Sequence, residues 1–534
     1  MKENGTIAEN GVGKMNDFDT TVLRRIHEMG ITHIWYTGVI RHASQTDNSS
    51  FGIPKQNPFI VKGKAGSPYA ITDYYDIDPD IASNVNARME EFVSMVNRTH
   101  RTGMKVIIDF VPNHVAREYH SVNKPMGVKD LGEDDNPEVA FSPQNNFYYC
   151  PNQPFDPYFD KGSYEEFPAK ATGNDKFGNR PGKTDWYETV KLNYGIDYLS
   201  GRHCSFDPIP NTWIKMIDIL LFWVSKGIDG FRCDMAEMVP HEFWAYAIKI
   251  VKERYPKLIF IGEVYDTTQS HTYINSGFDY LYDKVGMYDC LRDVVCGVRP
   301  ASSITYQWQL TDDIHDHLLY FMENHDEQRI ASDFFCNDGI KAIPAVIVSV
   351  LMRKNPFMLY AGQEYGEKGM DKEGFSGIDG RTSIFDYWTI KSLYYGYFDR
   401  QNMSKEERNL EDKYKKILNI ANREVAISEG DFFDLMYVNP FSDKFNPHRN
   451  FAFLRKKGDE VLLVIVNFSD KKAKVEVKIP EHAFDILKIP EQEVSAIDLL
   501  TGQQEKVQLH KDCYFPAQLE PYDGRIYKFK IKNE

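Results

Sequence analysis

Arg232 and Asp234 stand two residues apart in the stretch Gly227 to Glu237, which reads GIDGFRCDMAE. In extended backbone, positions i and i+2 point to the same side. A guanidinium and a carboxylate therefore leave this short apolar segment side by side, with Cys233 turned the other way. Unpaired buried charge is costly, so such a pair is either a structural ion pair or part of a site. Three other apolar stretches end in the same manner. KVIIDF runs into VPNH and supplies Asp109, Asn113 and His114; LIFIGE supplies Glu263; LLYFMENHDE supplies Glu323, His325 and Asp326. Two carboxylates flanking a bond, with arginine and histidine to set protonation and hold hydroxyls, are suited to cleaving a glycosidic bond.

These residues need a scaffold that brings several strand ends together. Apolar spacing predicts helices over 17–29, 89–100, 213–225, 242–254, 340–352 and 406–422. Between them lie predicted strands at 31–40, 105–110, 228–231, 258–264, 280–282, 318–322 and 357–361. Alternating strands and helices over some 400 residues imply a parallel sheet, either doubly wound or a (β/α)8 TIM barrel. No Gly-x-Gly-x-x-Gly occupies the first βα turn, so a dinucleotide fold has no support. Charge at the carboxyl ends of several different strands favours the barrel. From about residue 430 the helices give way to strands at 451–454, 461–468, 474–479 and 526–531, read as an all-β sandwich. The expected organisation is barrel over 1–114, insertion domain over 115–208, barrel again over 209–430, and the β-sandwich over 431–534. The insertion is dense in Pro, Gly, Asn, Asp and aromatics with little helical pattern, and a loop that long inside a compact unit implies function or a small domain of its own.

The net charge is −15, from 63 basic and 78 acidic residues, which disfavours nucleic acid or an anionic membrane as partner. The aromatic share of 14% suits a protein that stacks rings on a ligand, and equally a large core. Cysteines at 150, 204, 233, 290, 296, 336 and 513 form no Cys-x-x-Cys pair, so reduced thiols are expected. No apolar run reaches the ~20 residues of a membrane span. The polar MKENGTIAENG start lacks a signal-peptide core, and the expected location is cytoplasmic.

DFVPNH, GFRCD, GEV and ENHD, in that order, resemble the four short regions shared by the α-amylase family, glycoside hydrolase family 13. SPYAITDYYDIDP, between strands two and three of the family's barrel, resembles the family's aromatic lead-in, and the likeness spans roughly residues 16 to 430. It implies a retaining hydrolase of α-1,4-glucosidic bonds in starch, glycogen or maltooligosaccharides. Asp234 would be the nucleophile and form a covalent glycosyl-enzyme. Glu263 would be the acid and then the base, and Asp326 would stabilise the transition state. Tyr69 would stack on the sugar, while His114, Arg232 and His325 would contact it or its neighbours. Asp109 would orient Arg232, which would help keep Asp234 ionised, with Glu263 the harder of the two to ionise. Each residue also has a structural reading: His114 could cap a turn, Tyr69 could be core, Glu323 could be a paired strand-end charge, and Glu237 could be a cap.

No cofactor is needed for this chemistry. Asn113 and carboxylates of the insertion resemble a family calcium site, although no dense Asp cluster accompanies them; no metal ligand is assigned. Two further departures stand out. The family's first barrel strand is not visible, so either it lies outside this sequence or Gly5 to Val12 supplies a poor edge. Where long-polymer endo-amylases carry Lys-His after the nucleophile, this chain reads Met235-Ala236-Glu237. The alternatives are a transglycosylase or isomerase on the same scaffold, or a non-catalytic carbohydrate-binding relative.

Overall fold

A computed structural model describes residues 1–532. Seven parallel strands form one sheet in chain order: β1 His33–Tyr36, β2 Lys105–Phe110, β3 Gly230–Cys233, β4 Ile259–Gly262, β5 Tyr280–Tyr282, β6 Leu318–Phe321 and β7 Phe357–Met358. This is the curled sheet of a TIM-type barrel. Helices Thr20–Glu28, Arg88–Arg101, Asn211–Val224, His241–Arg254 and Ile343–Leu351 alternate with it, each within a few residues of its expected span. The strands alternate as the period of two requires. Ile107, Ile261, Tyr282, Leu319 and Phe321 pack together on the inner face, while Phe231, Cys233 and Phe260 join Trp223, Phe243 and Trp244 beneath the helices. Gly230 stands at an inward position with little room, since a Cβ there would lie 2.8 Å from the Ile259 carbonyl oxygen and 3.4 Å from Ile107.

No strand precedes His33 among the described residues. Gly5 to Val12 does not supply an edge: Ile7–Asn10 is a short helix, closed by Glu9 reaching back to the Thr6 backbone. The two strands at the ends of the sheet order, β1 and β7, are only half-buried along most of their length, whereas β3 and β6 are buried throughout. The strand expected over 31–40 is split. Its second part, Ile40–His42, pairs antiparallel with Ile71–Ile77 outside the barrel.

Between Phe110 and Asn211 the backbone forms only two- and three-residue strands, among them His114–Ala116 paired with Thr189–Lys191. The C-terminal part is a six-stranded antiparallel sheet backed by a two-stranded one, Ala473–Ile479 with Cys513–Leu519. Phe515 joins the layers, 4.6 Å from the Tyr527 ring and 5.6 Å from Phe529. The expectation of no helix here is corrected by Glu481–Leu487. Its buried Ala483, Phe484 and Leu487 recur at helical spacing, with Pro480 before it and left-handed Lys488 after it.

A single buried guanidinium ties this part to the barrel. Arg455 donates to the carbonyls of Met352 at 2.7 Å, Leu351 at 3.3 Å, and Ile427 and Gly430 at 2.8 Å each. The first pair of acceptors ends the fully buried helix Ile343–Leu351, whose last carbonyls have no partner within the helix. Arg455→Met should lower stability by about 3 kcal/mol or more, because several buried acceptors lose a charged donor at once. The expected result is a reduced thermal midpoint with an unchanged far-UV spectrum at room temperature; an unaltered midpoint would show that the carbonyls find other partners.

Candidate active site

Strand register builds the site. Arg232 is level with Asp109 on one side and Ile261 on the other. One step further, the Asp234 amide donates to the Phe110 carbonyl and the Glu263 amide to the Cys233 carbonyl. The inward side chains of β2, β3 and β4 thus converge at their carboxyl ends, where barrel sites lie.

Arg232 is fully buried at the centre. Its Nη1 donates to Asp234 Oδ1 at 2.9 Å and to Asp109 Oδ1 at 3.3 Å, and its Nε donates to the Tyr282 hydroxyl at 3.1 Å. Nη2 lies 2.8 Å from Glu263 Oε2 as an ion pair whose N–H is not aligned for a hydrogen bond. The guanidinium also lies 5.1 Å from the Trp35 ring centre and 5.4 Å from that of Tyr69. Trp35 Nε1 in turn donates to Asp109 Oδ2 at 2.8 Å. Asp109 thus orients Arg232, and Trp35 orients Asp109.

The two carboxylates flanking the guanidinium have different surroundings. Met235 adopts a left-handed backbone, φ 44°, an uncommon state for a side chain of this size. The turn aims its N–H at Glu263 Oε2, 2.8 Å away. The Tyr265 hydroxyl donates to Glu263 Oε1 at 2.7 Å. Asp234 has less support: its Oδ2 is buried with no partner. Burial pushes the Asp234 carboxyl up to about 8; Glu263, Asp109 and Asp326 add to the rise, and Arg232 opposes it. Arg232 thus opposes the rise at Asp234, as expected of it, without cancelling it. One guanidinium is shared among several carboxylates, and its pull on Asp234 does not offset desolvation and like charge.

His325 and Asp326 enter from the end of β6. His325 Nε2 lies 3.0 Å from Asp326 Oδ2 and 2.9 Å from the Tyr69 hydroxyl. The His325 ring stacks on Tyr69 at 5.2 Å. Burial opposes ionisation of Asp326, but His325 and Arg232 outweigh it and hold the carboxyl down at about 2. The Asp326 side chain is 46% exposed, so it faces the opening. Tyr69 offers one face to His325 and is otherwise buried. His114 is buried against Trp186, 5.3 Å away, with its ring at the Tyr69 backbone; burial pushes its imidazole down to about 3, aided by Lys191 and Lys62.

All seven predicted site residues gather here, directly or through Tyr69. Two neighbouring acids do not join them. Glu323 is turned away onto Arg329 at 2.9 Å and the Ile330 amide at 2.7 Å. Glu237 caps the amides of Tyr265 and Asp266. Sequence reasoning missed Trp35, Tyr265 and Tyr282. Tyr265 had a signal, since it stands two past Glu263, as Asp234 stands two past Arg232. Among the described residues no group of three or more His, Cys, Asp or Glu side chains could hold a metal ion.

A family model described as the alpha amylase catalytic domain matches residues 9–424. The chain belongs to the alpha-amylase family. Alpha-amylase 3 of Dictyoglomus thermophilum is 25% identical over 386 residues, 68% of this chain and 68% of that protein. Neopullulanase 2 of Thermoactinomyces vulgaris is 22% identical over 511 residues, 94% of this chain and 68% of its own length. Among solved structures, a maltogenic alpha-amylase from Thermotoga neapolitana superposes with a TM-score of 0.65 at 21% identity, covering 97% of this chain and 96% of its own; that likeness shows the shared fold. As a member of this family, the chain is an alpha-amylase-like glycoside hydrolase.

The state of Asp234 has a consequence for this family member's stability. A carboxyl raised in the folded protein destabilises it progressively as pH climbs from the unfolded value of about 4 towards about 8, because only the unfolded chain ionises freely over that range. Asp234→Asn removes this term. Its thermal midpoint should exceed that of the parent by a margin that widens from pH 5 to pH 8 in calorimetry. A margin that is constant or shrinks would mean that Asp234 is ionised in the free protein.

Proposed function

We propose that this chain hydrolyses α-1,4-glucosidic bonds of starch, glycogen or maltooligosaccharides with retention, through a covalent glycosyl-enzyme. The observation that carries the reading is the shared guanidinium. Arg232 contacts Asp234 through one terminal nitrogen and Glu263 through the other, at 2.9 Å and 2.8 Å. Two carboxyls bridged by one planar group suit the close spacing of about 5–5.5 Å that retention uses, rather than the wider one of inversion. The names of similar proteins agree on the substrate class: they include alpha-amylases, a neopullulanase and cyclomaltodextrinases, and one solved relative is an alpha-amylase in complex with acarbose.

In this reading Asp234 attacks the anomeric carbon while Glu263 protonates the leaving oxygen; Glu263 then takes a proton from water, whose oxygen displaces Asp234. Asp326, already anionic and facing the opening, opposes the positive charge that develops on the sugar ring. Tyr69, His114 and His325 line the same ring position, with Arg232 beneath it. The chemistry needs one proton on the Asp234–Glu263 pair, carried by Glu263 at the moment of bond cleavage. In the free protein Glu263 accepts from the Tyr265 hydroxyl and the Met235 amide, while Asp234 Oδ2 has no partner. Substrate entry must draw the Tyr265 hydroxyl away from Glu263 Oε1 so that this oxygen can face the leaving group.

The test is product analysis on maltotetraose and soluble starch with the fresh product's anomeric form followed by NMR. Shorter α-anomers are expected, with Asp234→Asn and Glu263→Gln each losing about a thousandfold or more in kcat while remaining folded. Full activity in either variant, or a β-anomer as first product, would overturn the mechanism. Products longer than the substrate would make the chain a transferase instead.

A further inference from the structure

The insertion meets the barrel mouth at a buried lysine. Lys191 ends the strand Thr189–Lys191 and is 2% exposed. Its Nζ donates to Asn113 Oδ1 at 2.5 Å, lies 2.6 Å from Asp175 Oδ1, and lies 3.4 Å from the Met238 carbonyl oxygen. These acceptors belong to three separate segments: the chain leaving β2, a loop of the insertion, and the turn after β3. The ammonium also lies 5.5 Å from the Tyr198 ring centre. Asn113 is fully buried and passes the constraint on. Its Nδ2 donates to the Gly173 carbonyl at 2.8 Å and lies 3.1 Å from His114 Nδ1, and its own carbonyl accepts the Leu192 amide at 2.9 Å.

Asn113 and a carboxylate of the insertion are the donors that the sequence offered for calcium. Calcium takes six to eight oxygens at about 2.3–2.6 Å. Here the Asn113 and Asp175 oxygens already face a cation at hydrogen-bond distance, and among the described residues no third acid joins them. A divalent ion at these two oxygens would sit against a buried ammonium, with little negative charge to offset the repulsion. The donor set does not fit calcium.

We propose that the Lys191 ammonium is the built-in cation of this junction, standing in for a divalent ion, and that it positions Asn113 and through it His114 at the sugar ring. A tethered ammonium supplies one charge and three directed donors, and Asn113, Asp175 and Met238 provide three acceptor directions. The junction is then complete without any solute. Lys191 is a positioning residue and touches no substrate in this arrangement; only its effect on His114 rests on the hydrolase reading above.

The first experiment follows the thermal midpoint of the full chain and of Asp175→Asn, each in EDTA and in calcium chloride. The expected result is the same response to calcium in both proteins. A calcium-dependent rise in the parent that Asp175→Asn lacks would overturn the proposal, whatever the enzyme's substrate. The second compares Lys191→Met with Lys191→Arg. Lys191→Met should lower the midpoint and reduce kcat/KM on maltooligosaccharides by about tenfold or more through misplacement of His114, with no rescue by calcium, while Lys191→Arg recovers part of both. Wild-type values in a folded Lys191→Met would refute the positioning role, and restoration of Lys191→Met by calcium would assign the site to a metal. Should Lys191→Met not fold, the comparison with Asp175→Asn decides the matter alone.

Discussion

One buried positive charge organises the barrel mouth. Arg232 is fully enclosed, and its terminal nitrogens reach Asp109, Asp234 and Glu263. Enclosing a guanidinium costs several kcal/mol unless it is surrounded by acceptors. Here the acceptors are acids from adjacent parallel strands, and the arrangement cuts both ways. The cation allows the carboxylates to be buried together, yet it carries a single charge and cannot neutralise them all. The excess negative charge raises the affinity of Asp234 for a proton, and a proton held within the cluster is what the proposed acid–base chemistry uses. Removing the guanidinium would leave acids with nothing to hold them inside.

The arrangement depends on register more than on any single contact. Arg232 faces Asp109 because β2 and β3 are paired at those residues, and Glu263 sits beside Asp234 because the ladder between β3 and β4 continues one step past their last paired residues. A slip of one residue would point Asp234 into the helices and Cys233 into the mouth. Phe231, Cys233 and Phe260 guard against that slip, since each is fully buried on the outer face. The apolar residues between the charged ones therefore fix the chemistry as firmly as the charged ones do.

How much of this could be read beforehand follows from the range of each signal. The alternation of side chains along a strand is local, so Arg232, Asp234, Glu263 and the acids after β6 were legible, as were the long barrel helices and all seven barrel strands, the first with its end misplaced. The split at Tyr36 was not. Its cause is the antiparallel pairing of Ile40–His42 with Ile71–Ile77, a contact between segments whose own composition does not announce it. Trp35 and Tyr282 were missed for a related reason. Each is an ordinary aromatic on a recognised strand, and only the curl of the sheet brings it against Arg232. The unpartnered Asp234 Oδ2 was not legible, because sequence shows which charges are present and not how few donors each one receives. Roles in catalysis came from resemblance, and the geometry is what the proposed mechanism is argued from.

Arg232 is one of several buried cations, and the others stand where segments of irregular backbone must be joined. Arg329 donates to Glu323, to the Thr382 hydroxyl and to the Ala361 carbonyl, binding the loops after β6 and β7. Arg455 gathers four carbonyls at the seam with the β-sandwich, and Lys191 gathers the ends of β2 and β3 with the insertion. Long loops have few apolar side chains to bury and many backbone carbonyls left over from sheet and helix. A tethered cation answers both shortages, since it satisfies several acceptors from one point and its stem packs as apolar surface. It also imposes direction, because its donors leave at fixed angles and a misaligned loop forfeits them. That directionality lets loops outside the hydrophobic core hold His114, His325 and Asp326 at the barrel mouth.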